Sequence, residues 1–248
     1  MTGGDFETLL LAPIPPLDLF ALANSGVSTS LVLSVGVQQF NGISNPGIGL
    51  ATYESDTNPN IRELMHQGEV LRQAGRLSVD VETTGKGKDL NRVLFYNFLP
   101  GKPDPELDQQ ERRWRESLGL DPKGKHFRVV FGTGRGGPGE IRVVTRSIMA
   151  ILIDVARGIQ VPASDIDEGR TTATPTGFRP VAHIAIQSST GLLRPSDAAA
   201  YVRYRDHWFW IDDKDYQSKS IFAFIVHLLS LAEGEKTQQL PVITIPAG

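Results

Sequence analysis

The sequence contains no cysteine. That excludes disulfides, thiolate nucleophiles, iron–sulfur clusters and thiolate zinc sites, and it fits cytosol and periplasm equally. Excess charge of either sign is also missing: 25 Lys and Arg stand against 28 Asp and Glu, a net charge of -3. Such a balance gives no general attraction to a polyanion, so no nucleic-acid partner is expected. Long hydrophobic runs are lacking as well. The longest, Ile221 to Leu231, is interrupted by His227 and Ser230 and covers about 11 residues, against the ~20 needed to cross a bilayer. The opening Met1-Thr2-Gly3-Gly4-Asp5 has no basic stretch followed by an apolar one. No signal peptide is therefore expected, which keeps a cytoplasmic location open.

Catalytic signatures are equally scarce. There is no G-x-S-x-G nucleophile elbow. The histidines His66, His126, His183, His207 and His227 are scattered without ligand spacing, so neither a metal nor a cofactor is expected. Gly132-Thr133-Gly134-Arg135-Gly136-Gly137 matches G-x-G-x-x-G after a strand. A dinucleotide site would need a helix to open at once, however, and Pro138-Gly139 leads into another strand-like segment, which reads as a hairpin loop. Asp165-Ile166-Asp167-Glu168-Gly169 lacks the third ligand and the distal glutamate of a calcium loop and reads as a solvated turn.

What remains is the composition of an ordinary folded protein, 40% hydrophobic and 21% charged over 248 residues. The reading is a single globular domain over 1–248. The alternative is a division at Pro100–Pro105 into an N-terminal helical and hairpin half, 1–100, and a C-terminal α+β half, 120–248. Prolines 13, 15 and 16 open a helix at about 16–25, and Ser28 is placed to cap a second one running through Gln39. Asn60 to Ala74 is amphipathic. Leu77 to Glu82 and Val93 to Leu99 read as the strands of a hairpin turning at Gly85-Lys86-Gly87-Lys88. Glu106 to Leu118 reads as an exposed, charged helix. Further strands are expected at Lys125–Phe131, Glu140–Val144, Val181–Gln187, Ala199–Arg205 and His207–Ile211, with an apolar helix at Ser147–Ala156. Lys214 to Glu233 is a long apolar C-terminal helix, and Pro241 to Pro246 a short final strand. Strands and helices mix without βαβ alternation, so the class is α+β, with a mixed, mainly antiparallel sheet packed against several helices.

The densest cluster of chemistry runs from Tyr204 to Lys219 and holds two of the three tryptophans. On a strand, Trp208 and Trp210 share one face while Phe209 and Ile211 share the other. Asp212, Asp213 and Asp215 then fall where the strand meets a helix, with Arg205, Lys214 and Lys219 as internal partners. Either this is two-sided packing plus helix capping, or it is an aromatic face beside an acidic rim that binds a ligand. Arg146, between Thr145 and Ser147 at a helix start, is a second anion-binding candidate. The ligand-binding candidates are thus Arg146, Arg205, Trp208, Trp210, Asp212, Asp213, Asp215 and Lys219, with no catalytic residue assigned.

Several of these segments resemble a family of uncharacterised bacterial proteins, many of whose members look like envelope lipoproteins of Gram-negative bacteria. The similar residues are Ser25-Gly26, Phe40-Asn41-Gly42-Ile43-Ser44-Asn45, Thr145-Arg146-Ser147 and Tyr204-Arg205. They continue with Trp208 to Asp213, Asp215, Ser218-Lys219, Phe222 and Pro241 to Pro246. The resemblance implies a periplasmic or peripheral envelope location and no particular activity. The expected function is a non-enzymatic binding or assembly module that meets a protein partner or itself. The alternative is a hydrolase or carbohydrate-binding protein using residues 204–219.

Overall fold

In the computed structural model, residues 10–24, 27–45, 59–84, 91–156, 158–173 and 184–234 are described. The turn expected at 85–88, the first residues of the strand expected at 181–187 and the final strand expected at 241–246 lie outside them. Seven helices and nine strands form among these residues, an α+β arrangement with two sheets.

The described residues up to Thr145 build a six-stranded sheet and its helices. Helix α1 (Pro16–Asn24) and helix α2 (Thr29–Gly36) lead into β1 (Val37–Phe40) and the short β2 (Ile43–Ser44). Helix α3 (Pro59–Gln73) precedes the hairpin β3 (Leu77–Thr84) and β4 (Asn91–Phe98), whose eight residue pairs are in continuous antiparallel register. Helix α4 (Pro105–Leu118) then leads to β5 (His126–Phe131) and β6 (Glu140–Thr145). The order is β2-β1-β6-β5-β4-β3.

Alternation decides which face is covered. Leu94, Tyr96 and Phe98 of β4, Phe127 and Val129 of β5, and Ile141 and Val143 of β6 are all buried under the helices. Tyr96 is the hub of an edge-to-face cluster, with ring centroids 5.8 Å from both Phe20 and Phe40.

Three local expectations give way to tertiary contacts. The helix expected to run through Gln39 ends at Gly36, because Val37–Phe40 pairs with β6 instead. Ser28 makes no side-chain capping bond. The charged helix α4 is not an exposed rod. Asp104 caps it by accepting from the amides of Glu106 and Leu107, Gly119 ends it at φ 64°, and Trp114 is 2% exposed in the core. Its Arg115 lies over the Phe98 ring at 3.8 Å and donates to Glu111 at 2.6 Å.

The glycine-rich loop supplies the third difference. The strands it joins, β5 and β6, are parallel rather than a hairpin. Parallel neighbours usually need a crossover of a dozen or more residues, whereas Gly132 to Gly139 runs back along the sheet. Asn41, buried and held at φ 45°, makes this return feasible. Its Oδ1 accepts from the amides of Gly136 (2.8 Å) and Arg142 (3.0 Å), and its Nδ2 donates to the Leu118 carbonyl at 2.7 Å.

The residues after β6 carry α5 (Ile148–Ala156), the short α6 (Ala163–Asp167), and a separate sheet of β7 (Gln187–Thr190), β8 (Ala198–Tyr204) and β9 (His207–Asp212). Helix α7 (Tyr216–Gly234) packs against β9 and α5. In the described part of the strand expected from Val181 to Gln187, Ile186 makes an isolated bridge to Ile159, and β7 begins at Gln187. No helix among the described residues is long and apolar enough to cross a membrane.

Candidate functional site

The β8–β9 hairpin turns on two residues, Arg205 and Asp206, and pairs Tyr201 with Trp210 and Arg203 with Trp208. Strand alternation places these four side chains on one face and Val202, Tyr204, His207, Phe209 and Ile211 on the other. Near α7 that second face is core, with Ile211 only 4% exposed. The first face is an open ladder of rings and guanidinium groups. Tyr201 meets Trp208 edge to face at 5.9 Å, Arg203 lies 5.8 Å from the Trp208 ring, and Arg194 lies 4.9 Å from the Tyr201 ring. The β7–β8 loop fixes the upper end. Arg194 donates to the Tyr201 hydroxyl at 3.0 Å, and Trp208 Nε1 donates to the Gly191 carbonyl at 3.1 Å.

Among the described residues neither Arg194 nor Arg203 pairs with a carboxylate. Tyr201 is 48% exposed, and the neighbouring Leu192 and Leu193 are 88% and 87% exposed. Trp208 and Trp210 are half-buried. Sequence reasoning found both tryptophans but missed Arg194, Tyr201 and Arg203. The available signal was the register: counting back from the two-residue turn sets Arg203 against Trp208 and Tyr201 against Trp210.

The three aspartates have separate local duties. Asp212 accepts from the Lys214 amide at 2.8 Å in the turn after β9. Asp213 pairs with Lys219 at 3.1 Å on the surface. Asp215 caps α7, accepting from the Ser218 amide at 3.0 Å and its hydroxyl at 2.6 Å. The Ser218 hydroxyl in turn accepts from the Ala185 amide at 2.9 Å, tying the helix start to the approach to β7. Among the described residues no group of three acidic or histidine side chains could hold a metal ion.

Arg205 stands at the hairpin tip with φ 54°, its guanidinium 5.4 Å from the Tyr204 ring and 3.9 Å from Asp165. Asp165 belongs to α6, the segment read as a solvated turn. Arg205 therefore points toward α6 and away from the ladder.

Arg146 lies apart from all of these, buried where α2 meets β1. It donates to the main-chain carbonyls of Ser34 (3.2 Å), Val35 (3.0 Å), Val37 (2.8 Å) and Asn45 (2.6 Å), with Asp154 at 4.0 Å. Burial pushes its pKa down to about 10, opposed by the Asp154 charge, which leaves it ionised at neutral pH. Asn45 serves the same junction, donating to the carbonyls of Leu33, Ser34 and Val37. Together they satisfy the free carbonyls that a helix end leaves behind.

The G-x-G-x-x-G loop uses three of its amides internally: Gly132 donates to the Val143 carbonyl at 3.1 Å, Gly134 to Gln39 Oε1 at 2.7 Å and Gly136 to Asn41 Oδ1. A phosphate cradle would need such groups free.

Two further features were not foreseen. An open groove of about 870 Å³ lies between α2, α3 and α7, lined by Leu31, Met65, His66, Tyr216, Phe224 and His227. None of the candidates from 204–215 lines it. On the exposed face of the large sheet, Asn97 bridges Asp80 (2.7 Å) and His126 (2.6 Å), and His126 stacks on Phe95 at 3.9 Å. That cross-strand cluster lies on a flat, solvated surface.

Fold and site together define an α+β protein with an arginine–aromatic face on its smaller sheet, whose Arg194 and Arg203 meet no carboxylate among the described residues. The chain matches no protein-family model, no curated protein and no solved structure. Its binding chemistry is therefore read from its own geometry.

Proposed function

We propose that the protein is a non-enzymatic binding module whose recognition surface is the arginine–aromatic face of β8 and β9. The observation that carries this reading is the exposed ladder Arg194–Tyr201–Trp208–Arg203, which holds cations and rings in fixed positions without an acidic partner among the described residues. Rigid aromatic and arginine side chains are the residues that dominate protein interfaces. The face suits a protein segment with carboxylates beside apolar side chains, since Leu192 and Leu193 adjoin it. Two arginines are few for tracking a polyanionic backbone, and one already bonds a tyrosine hydroxyl, which favours protein over nucleic acid. Peripheral association with the bacterial cell envelope belongs to the same proposal, and what supports it is the resemblance at Phe40 to Asn45, Tyr204-Arg205, Trp208 to Asp213, Asp215 and Ser218-Lys219.

The hydrolase alternative asks Asp212, Asp213 or Asp215 to work beside the tryptophans. Each carboxylate instead holds a turn, a lysine or a helix start, which weighs against it.

The test is selection of displayed random peptides on the intact protein. Enriched binders should be rich in Asp and Glu, and should lose affinity for Trp208→Ala and Arg203→Glu. Binding unaffected by both variants would overturn the reading. So would selective capture of single-stranded oligonucleotide, or turnover of a chromogenic glycoside or ester that disappears in Asp213→Asn.

A further inference from the structure

The described sheets present four edge strands, and sheet edges invite pairing unless they are short, charged or covered. Strand β2 has two residues. Strand β3 carries the exposed Asp80 and Glu82. Strand β7 is a short polar Gln-Ser-Ser-Thr. Strand β8 differs from all three: Ala-Ala-Ala-Tyr-Val-Arg-Tyr, seven residues with no lysine, proline or acid. Its outer half is open, with Tyr201, Val202 and Tyr204 at 48%, 58% and 60% exposure.

The hydrogen-bonding sense of this edge follows from the hairpin. A two-residue connection makes Tyr204 and His207 a hydrogen-bonded pair, and antiparallel alternation then makes Val202 and Phe209 the next. Arg203–Trp208 and Tyr201–Trp210, on either side of Val202–Phe209, are the non-bonded pairs, so the N–H and C=O groups of Tyr201 and Arg203 point away from β9. The register irregularity of β8 lies at Ala198/Ala200 and leaves Ala200–Tyr204 regular.

We infer that this protein forms a twofold dimer in which β8 pairs antiparallel with β8 of a second copy, centred on Val202. The segment Ala200-Tyr201-Val202-Arg203-Tyr204 is self-complementary in that register. Val202 meets Val202, the outward-facing main chains of Tyr201 and Arg203 pair with each other, and Ala200 leaves room opposite Tyr204. Tyr201 sits across from Arg203 of the second copy, so each cation meets a ring, as Arg194 already does within one chain. The result is a continuous antiparallel sheet in the order β7-β9-β8-β8-β9-β7. The inference goes beyond the arginine–aromatic face: Tyr201 and Arg203 of that face flank the seam, but the pairing is carried by the main-chain edge and centred on Val202, which lies on the opposite face.

Light scattering coupled to size exclusion on the full chain tests it. Wild type should run at twice the 27.1 kDa of one chain. Val202→Lys and Val202→Glu should each run as monomers with unchanged circular dichroism, because like charges would then face each other at the closest cross-strand distance. Mixing the two variants should restore a dimer containing one of each. A monomeric wild type, a Val202→Lys variant that stays dimeric, or a mixture that stays monomeric would overturn the inference. Trp208→Ala should leave the dimer intact while removing peptide binding, so failure of the dimer and failure of the proposed recognition surface are read separately.

Discussion

Tyr201 and Trp208 meet edge to face, 5.9 Å between ring centroids at 62°, although they belong to different strands and share no direct cross-strand pairing. They are diagonal neighbours on one face of the β8–β9 hairpin, and such pairs are within reach of large rings. The contact is local to the hairpin. Tyr201→Ala should therefore lower stability modestly, by about 1 kcal/mol in urea unfolding, as expected for one aromatic pair.

Arg146 should behave in the opposite way. Its four carbonyl partners and Asp154 converge on one buried guanidinium. Arg146→Ala removes the donors and leaves buried carbonyls unpaired, so a loss of at least about 3 kcal/mol is expected. Arg146→Lys should recover only part of it, because an ammonium lacks the planar fork. Chemical unfolding of both variants checks the ranking.

The aspartates at the β9–α7 junction should separate by role. Asp215→Ala removes a helix cap and should cost about 1 kcal/mol. Asp213→Asn loses only a surface ion pair with Lys219, side chains 66% and 35% exposed, and should change stability by less than about 0.5 kcal/mol. Thermal or urea unfolding of the two variants side by side distinguishes them.

Glu69 of α3 gives a pH signature. Burial opposes its ionisation, but hydrogen bonds from Arg72 and Gln73 and the Arg72 charge outweigh it, holding the carboxyl below its ordinary value. A carboxyl depressed in the folded state adds stability above the unfolded value near 4.5. That contribution is lost as pH falls through the lower folded value. The stability gap between wild type and Glu69→Gln, under about 1 kcal/mol at neutral pH for a partly exposed pair screened by solvent, should close on acidification below pH ~4. Urea midpoints measured from pH 7 to pH 3 follow it.

Gly136 is a position where only glycine fits. A Cβ there would stand 2.3 Å from the Glu140 carbonyl oxygen, a backbone atom that cannot swing aside. Gly136→Ala should destabilise by several kcal/mol by forcing the return loop off Asn41. Gly137→Ala, whose Cβ meets nothing within 4 Å, is the matched control.

The legible parts of the fold were local. Alternation along Leu77–Glu82 marked the first hairpin, the strands at Ala199–Arg205 and His207–Ile211 were legible without the two-residue turn at Arg205-Asp206 that joins them, and Asp215 stood where a cap was needed. The α+β class followed from those elements. Nonlocal partners were not legible. Nothing near Val37–Phe40 announces β6 more than a hundred residues later, nothing in Glu106–Leu118 names the sheet that covers Trp114, and Arg146 finds its carbonyls on α2 and β1. The glycine-rich loop resembled a hairpin because local chemistry specifies a turn but not the direction of the returning strand. At the candidate site, the tryptophans stood out by rarity, while Arg194 joined them only through the fold of the β7–β8 loop.

The most direct measurement compares the affinity of one selected acidic peptide for wild type, Trp208→Ala and Asp213→Asn, followed by tryptophan fluorescence or calorimetry. If the arginine–aromatic face is the recognition surface, Trp208→Ala loses at least about tenfold in affinity, 1.4 kcal/mol, while Asp213→Asn binds like wild type. Loss of binding in Asp213→Asn with Trp208→Ala unchanged would contradict the account and return the site to the acidic rim.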